Sequence, residues 1–506
     1  GRPAPPETTR AGPGSQKSSK PKRPSLPKLA NLSATPPADQ AITKKVDVLI
    51  VGAGLSGLVA ARRLQSAGRG VRVLEARSRV GGRMLSSTSA NGSVIDLGGQ
   101  WGGASHHRFA ALLDELALER FASHYGDRGV FHWRGSRVEA PLAKDFASSH
   151  LFFKPESLGL TAAELEAFED LQREFSTLVA QVDPHQPWRT PNAEQLDRVT
   201  VAQWAERHTT IPLARLPLEW LCRVGGSGGF EPWEASILHL AWTQAVAPQT
   251  ESPEAWLVRG GAGAVAQRLA STLEAQAPGC LRLNRPVQAI VQDSHGVCLV
   301  DSSGEQHHAA SAIVAIPPPL RLAIRFEPAL SSALSALLQR SPMGAMIKIL
   351  AIYARPFWRE QGLNGLGSGD LPFLELTADS GPPEGQPAVL AGFIAGERAL
   401  RLGAMPALQR RQLVIDDLVA YWGPEAAKPL ELVEHNWNKE PWSGGAFTSF
   451  LIPGTWTGPA RLAAANHGRV IWAGSEVSPR WPGYFEGAIE AGERAAATAL
   501  SELPAN

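Results

Sequence analysis

An apolar run ending in spaced glycines constrains this chain more than any other stretch: Val48-Leu-Ile-Val51-Gly52-Ala-Gly54-Leu55-Ser56-Gly57-Leu-Val-Ala-Ala61. The run reads as a strand. The glycines permit a tight turn that lets backbone approach a pyrophosphate, and Gly57 lets the following helix pack on the strand. A dinucleotide fingerprint also needs an acid about 20 residues on, at the end of a second strand, to hold ribose hydroxyls. Glu75, in Val71-Arg-Val-Leu-Glu75, meets that need. Spaced glycines alone are as often a tight turn; strand, glycines, helix and acid together predict nucleotide binding.

A second strand-turn-helix lies near the other end, Val470-Ile-Trp-Ala-Gly474-Ser475-Glu476, then Trp481-Pro-Gly483-Tyr484-Phe485, running into Ala491-Gly-Glu-Arg-Ala495. Its free backbone N–H groups also suit phosphate. Two further glycine-rich turns, Arg79-Val-Gly81-Gly82-Arg83 and Asp96-Leu-Gly98-Gly99-Gln100-Trp101, can lay backbone against a ligand.

At 506 residues, 43% of them hydrophobic, the chain is long enough for two domains with full cores. The strand-and-turn pattern holds over 46–120, returns over 259–337 and again over 440–500. Two insertions separate these segments. The first, 121–258, carries helical periodicity such as Ala162-Ala-Glu-Leu-Glu-Ala-Phe, and reads as helical. The second, 338–439, mixes strands such as Met346–Tyr353 with helices. The expected fold is α/β: a Rossmann-like nucleotide domain assembled from three segments, with a discontinuous α+β substrate domain built from the insertions.

Residues 1–45 hold nine Lys or Arg against two acids, and nine prolines, so this tail carries +7 and reads as a disordered basic leader. Cys222, Cys280 and Cys298 stand isolated, without metal or disulfide spacing. No apolar run reaches the roughly 18 residues of a membrane helix, so the expectation is a soluble, cytoplasmic chain. His106-His107 follow a glycine turn with no third ligand near in sequence and read as exposed polar residues, not a metal site.

These motifs in this order, together with Leu74-Glu75-Ala76-Arg77 and Met346-Ile-Lys348, resemble the flavin-containing amine oxidases, most closely the monoamine oxidases, over nearly all of 45–500. The resemblance implies FAD. Its phosphates would lie on Gly52, Gly54, Leu55, Ser56, Gly57, Gly82 and Arg83, its ribose at Glu75 beside Ala76 and Arg77, and its adenine near Val287. The flavin end would meet Gly98, Gly99, Gln100, Trp101, Trp437, Gly474, Ser475, Glu476, Gly483, Tyr484 and Phe485.

The chain departs from the family where many monoamine oxidases attach flavin through a cysteine in Ser-Gly-Gly-Cys-Tyr. Here the run is Ser443-Gly-Gly-Ala446-Phe447. Ala446 has no nucleophile, so FAD is expected to bind without a covalent link. The aromatic pair facing the flavin becomes Phe447 and Tyr484. Lys348 matches the lysine that holds a water near flavin N5; strand alternation alone would turn it to solvent.

The implied reaction is oxidation of a small amine to an imine, hydrolysed to an aldehyde or ketone, with O2 reduced to H2O2 and no metal. Trp101, Phe447, Tyr484 and Glu254 would touch the substrate. Glu254 falls beside the family's pocket gate, where it would attract the second cation of a diamine; on the residues alone it reads as solvated surface. An L-amino acid oxidase needs a cation for the carboxylate, and only Arg108 and Arg223 keep that alternative open. Polyamine oxidation is a neighbouring option. A flavin-binding interaction protein using the basic tail ranks below these, with nucleic acid an unfavoured partner. A homodimer is left open.

Overall fold

In the computed structural model of the chain, the residues described are 46–126, 128–143, 152–225, 228–247, 252 and 254–504. The basic tail lies outside them.

Five parallel strands form one sheet in the order Leu281–Arg282, Val71–Leu74, Val48–Val51, Ser311–Val314, Val470–Trp472. Its strands are drawn from both ends of the chain and from its middle. Val48–Val51 and Val470–Trp472 are uninterrupted apolar runs, as a parallel sheet covered on both faces favours, while Val71–Leu74 and Leu281–Arg282 carry Arg72 and Arg282. Val48, Ile50, Val73, Ile313 and Ile471 face the helices Leu55–Ser66, Gly263–Gln276 and Phe485–Glu502. Leu49, Val51, Leu74, Val314 and Val470 face a four-stranded sheet through Ile290, Leu299 and Phe326. Each such fully buried side chain contributes roughly 2 kcal/mol.

Two glycines let these layers meet. A Cβ on Gly57 would lie 2.0 Å from the Gly52 carbonyl oxygen, and one on Gly492 would lie 2.3 Å from that of Ser56. The first helix and the last therefore cross with backbones in contact, which brings the two strand-turn-helix units side by side.

The second large layer is a seven-stranded sheet in the order Glu431–Asn436, Met346–Tyr353, Ala388–Ala395, Leu376–Asp379, Leu363–Gly369, Arg128–Trp133, Ser136–Pro141. Its last two strands correct the reading of 121–258 as helical. They form a hairpin whose two-residue turn, Arg134 (φ 49) and Gly135 (φ 79), has the twist that favours tight hairpins. Short strands also close the insertion at both ends, Arg120–Ala122 pairing with Trp256–Val258, and the elements described between the hairpin and Trp256 are helical. Ala162–Gln181 starts on a capping box of Thr161 and Glu164, and Val201–His208, Pro212–Arg223 and Ile237–Val246 follow.

Met346–Tyr353 is buried along its whole length. Ile347, Ile349 and Ala351 pack under the helix Ala407–Trp422 through Val414 and Leu418, while Met346, Leu350 and Ile352 meet Ile95, Trp437 and Ala446 on the other face. No solvent face exists for Lys348, which overturns what alternation alone suggested.

Candidate active site

The first glycine loop is tied to its acid. The Ala53 N–H donates to Glu75 Oε2 at 2.7 Å and the Arg77 N–H to Oε1 at 2.9 Å, so Glu75 is held at the mouth of the loop. The last strand-turn-helix joins from the other side, where the Gly474 N–H donates to Ser56 Oγ at 3.0 Å. Arg83 donates to Glu476 (2.6 Å) and to the Phe447 carbonyl (2.9 Å), linking the glycine turns to the aromatic wall. Burial alone would raise the Glu476 carboxyl. The Arg83 charge and its hydrogen bonds overcome this and hold it at about 2.

One cleft is lined by Gly52, Gly54, Leu55, Ser56, Glu75, Gly82, Arg83, Gly98, Gly99, Lys348, Trp437, Ala446, Phe447, Gly474, Ser475, Gly483, Tyr484 and Phe485. A Cβ on Gly54 would meet no atom of the described residues within 4 Å, so the space beside this loop is the cleft's own. With N–H-bearing glycine turns, a fixed carboxylate and an arginine along it, the cleft fits a flavin dinucleotide. Gly57, Ala76, Arg77, Val287 and Glu476 line neither this cleft nor the cavity beside it. Gly57 sets the helix approach and Glu476 fixes Arg83; Arg77 donates to Ser443 Oγ (2.8 Å) and Glu440 (3.3 Å). Val287 stands in the four-stranded sheet.

The cavity beside the cleft holds about 220 Å³ and shares Gly98, Gly99, Phe447, Gly483, Tyr484 and Phe485 with it. Trp101, Pro217, Trp220, Leu221, Leu376 and Phe393 make it apolar, and Gln100, Tyr125, Gln244 and Glu254 are its polar groups. The helix Pro212–Arg223 supplies Pro217, Trp220 and Leu221, and the sheet supplies Leu376 and Phe393. Phe393 was not singled out by sequence reasoning, yet it meets Phe447 edge-on at 5.9 Å and Trp101 at 5.8 Å. Only its register opposite Lys348 could have pointed to it.

Lys348 is 4% exposed. Its Nζ donates to the carbonyls of Asp96 (2.7 Å) and Gly98 (2.8 Å) and to Gln100 Oε1. Loss of water lowers its pKa to about 7, against the opposing pull of Asp96. Glu254, solvated surface on the residues alone but set at the pocket by the resemblance, lines the cavity with its carboxyl raised to about 7 by desolvation. Its carbonyl accepts from Tyr125 Oη (2.8 Å) and Ser123 Oγ (2.5 Å).

His106 is a second correction. His107 is exposed but His106 is buried, packed edge-on against Trp481 at 4.5 Å and Tyr484 at 5.5 Å. The Gly103 N–H donates to its Nδ1, and burial, aided by His107, lowers its pKa to about 4. A neutral ring therefore braces Tyr484. The two candidate carboxylate-binding arginines are occupied elsewhere: Arg223 by Glu219, Glu231 and Glu375, and Arg108 by Glu486, Glu490 and Glu493.

A parallel-sheet nucleotide cleft opening onto an aromatic cavity defines an oxidoreductase that works through a bound cofactor. Residues 55–500 match the family model described as flavin containing amine oxidoreductase, and the chain belongs to that family. It is similar to an L-amino acid dehydrogenase of a Synechocystis strain, 39% identical over 469 residues, 92% of this chain and 98% of the relative. It is also similar to the flavin-containing amine oxidase B of Cavia porcellus, 31% identical over 479 residues, 91% and 87% of the two chains. The solved cyclohexylamine oxidase from Brevibacterium oxydans superposes with a TM-score of 0.81 at 31% identity, covering 90% of this chain and 99% of that one. No helix among the described residues is long and apolar enough to cross a membrane.

Proposed function

We propose that the protein binds FAD without a covalent bond and oxidises a neutral amine carrying an apolar body to its imine, which water converts to an aldehyde or ketone, with O2 reduced to H2O2. The observation that carries this reading is the wall shared by the glycine-lined cleft and the apolar cavity. A group bound against Phe447 and Tyr484 from one side is within reach of a ligand held on the other. A bound flavin supplies the acceptor for the hydride equivalents. The chain's own residues orient and desolvate: Phe447, Tyr484 and Phe393 enclose the amine, and Lys348 holds a proton at the cleft. A site of roughly 150 Å³ takes benzene, so about 220 Å³ suits an amine with a single ring or a short chain.

Ala446 lines the cleft in place of an attaching cysteine, which supports dissociable FAD. Amine is favoured over amino acid because no Lys or Arg lines the cavity among the described residues, and Arg108 and Arg223 already face carboxylates. The amino acid reading has one supporting observation, the name of the Synechocystis relative. Anaerobic mixing of the yellow protein with benzylamine, cyclohexylamine, tyramine, putrescine, spermidine and L-amino acids, watching the flavin bleach, separates the two. Readmitting air and assaying peroxide then tests oxygen as acceptor. Bleaching confined to α-amino acids would overturn the amine reading.

A further inference from the structure

Lys348 donates to three oxygens, the carbonyls of Asp96 and Gly98 and Oε1 of Gln100. A lysine ammonium has three N–H donors and no acceptor. In this arrangement every donor is spent inside the protein, and none is left for a water or cofactor atom in the cleft that Lys348 lines.

The three acceptors are not equivalent. Two are backbone oxygens of the Asp96–Gly98 turn, which is pinned: the Leu97 and Gly98 N–H groups donate to the Leu85 carbonyl (2.8 and 3.0 Å), and the Asp96 carboxylate accepts from the Ala262 N–H and from Ser86 Oγ. They cannot leave Nζ without moving the whole turn. Gln100 is a rotatable side chain, and among the described residues its amide is held at one end only, since no group there partners the buried Nε2. It also stands between two cavities, the amine cavity and a second one of about 250 Å³ lined by Asp96, Phe121, Leu257, Leu350 and Val389. There is room for the amide to swing, and no second hydrogen bond from the described residues resists it.

We propose that Gln100 is a positioning residue that gates Lys348: with Oε1 on Nζ the ammonium is satisfied by protein alone, and withdrawal of the amide frees one N–H for the nucleotide cleft. The titratable groups facing Lys348 are Asp96 on the turn and His435 directly across the neighbouring strand. The rings of Trp101 and Phe393, at 5.6 and 5.8 Å, close the remaining side. The inference rests on the cleft holding flavin.

The test titrates holoenzyme with sulfite, which adds reversibly to flavin N5, bleaches it, and binds tighter beside a free positive charge. The holoenzymes compared are wild type, Gln100→Leu, Gln100→Glu and Lys348→Met, across pH 6 to 9, with FAD content and circular dichroism recorded for each. With affinity expressed on the sulfite dianion, because sulfite itself takes up a proton within this range, a pH step that Lys348→Met abolishes is expected in wild type. Gln100→Leu should tighten sulfite about tenfold below that step and move its midpoint to lower pH, the effect of one hydrogen bond to a charged group. Gln100→Glu, which fixes the ammonium by an ion pair, should weaken sulfite and move the midpoint up. Wild-type midpoints in both Gln100 variants, with the step still lost in Lys348→Met, overturn the gate alone. A step that survives Lys348→Met overturns the placement of Lys348 at flavin, and the gate with it.

Discussion

Arg83 and Glu476 form a two-point ion pair, Nη1 to Oε1 at 2.6 Å and Nη2 to Oε2 at 3.1 Å, between residues 393 positions apart. The same guanidinium holds the Phe447 carbonyl, and Thr448 Oγ1 donates to the same carboxylate at 2.9 Å. One electrostatic knot thus ties the glycine turn at the start of the chain to the aromatic wall near its end. Sequence spacing offers no hint of it; the pair exists only because the parallel sheet lays Val48–Val51 beside Ser311–Val314 and that strand beside Val470–Trp472.

Glu476→Gln should therefore destabilise the protein by about 3 kcal/mol, at the low end for a broken buried pair because Arg83 keeps some water contact. Thermal unfolding of the two proteins measures it. The carboxyl is depressed from its usual 4.5 to about 2, so the unfolded state takes up a proton first as pH falls. The stabilisation is whole above about pH 4.5 and fades as pH drops towards 2. The difference in melting temperature between wild type and Glu476→Gln should shrink from pH 6 to pH 3; a constant gap would show that the pair is not the source.

The nucleotide half of the molecule was legible because its rules are local. Glycines at Gly52, Gly54 and Gly57 followed by Glu75 describe one turn and one partner, and the loop closes on Glu75 through the N–H of Ala53. The hairpin Arg128–Trp133 and Ser136–Pro141 was missed because the helical period downstream dominates its insertion, and its strands gain their partner only at Leu363–Gly369. Period and polarity alone turn Lys348, His106 and Glu254 to solvent, and only the family resemblance set Lys348 and Glu254 at the site: polarity says which residues prefer water, and tertiary contact decides which receive it.

Lys348 has the opposite sign. Burial lowers its pKa from 10.5 to about 7, so between these values the unfolded chain binds the extra proton and stability rises with pH. The full cost of burying the ammonium applies below about pH 7 and is relieved towards pH 10.5. Lys348→Met removes that dependence. The wild-type melting temperature, relative to the variant, should climb from pH 7 to pH 10; a flat difference would mean that the amine keeps its ordinary proton affinity.

Among the described residues Glu254 is the one acid lining a mostly apolar cavity, and desolvation raises its carboxyl to about 7. Its charge should favour a second ammonium on the substrate and leave a monoamine indifferent. Glu254→Gln should raise KM for putrescine about tenfold, the scale of one charge-assisted hydrogen bond, while KM for benzylamine stays within about twofold. In wild type the preference for the diamine should grow as pH rises from 6 to 8, because only the ionised carboxylate attracts it. Equal effects on both substrates would assign Glu254 to the shape of the cavity instead.

Ala446 is 5% exposed and lines the nucleotide cleft next to Phe447, at the position where the family's attaching cysteine falls. Native cysteines offer no substitute, since none of Cys222, Cys280 and Cys298 lines the cleft. Acid precipitation of the wild-type holoprotein should release its flavin into the supernatant, leaving a colourless pellet. Ala446→Cys adds one sulfur atom at the cleft wall, and its acid pellet should stay yellow and carry a flavin-labelled peptide containing residue 446. A colourless Ala446→Cys pellet from a protein purified with flavin would place the reactive edge of the ring away from this residue. A yellow wild-type pellet would refute dissociable FAD outright.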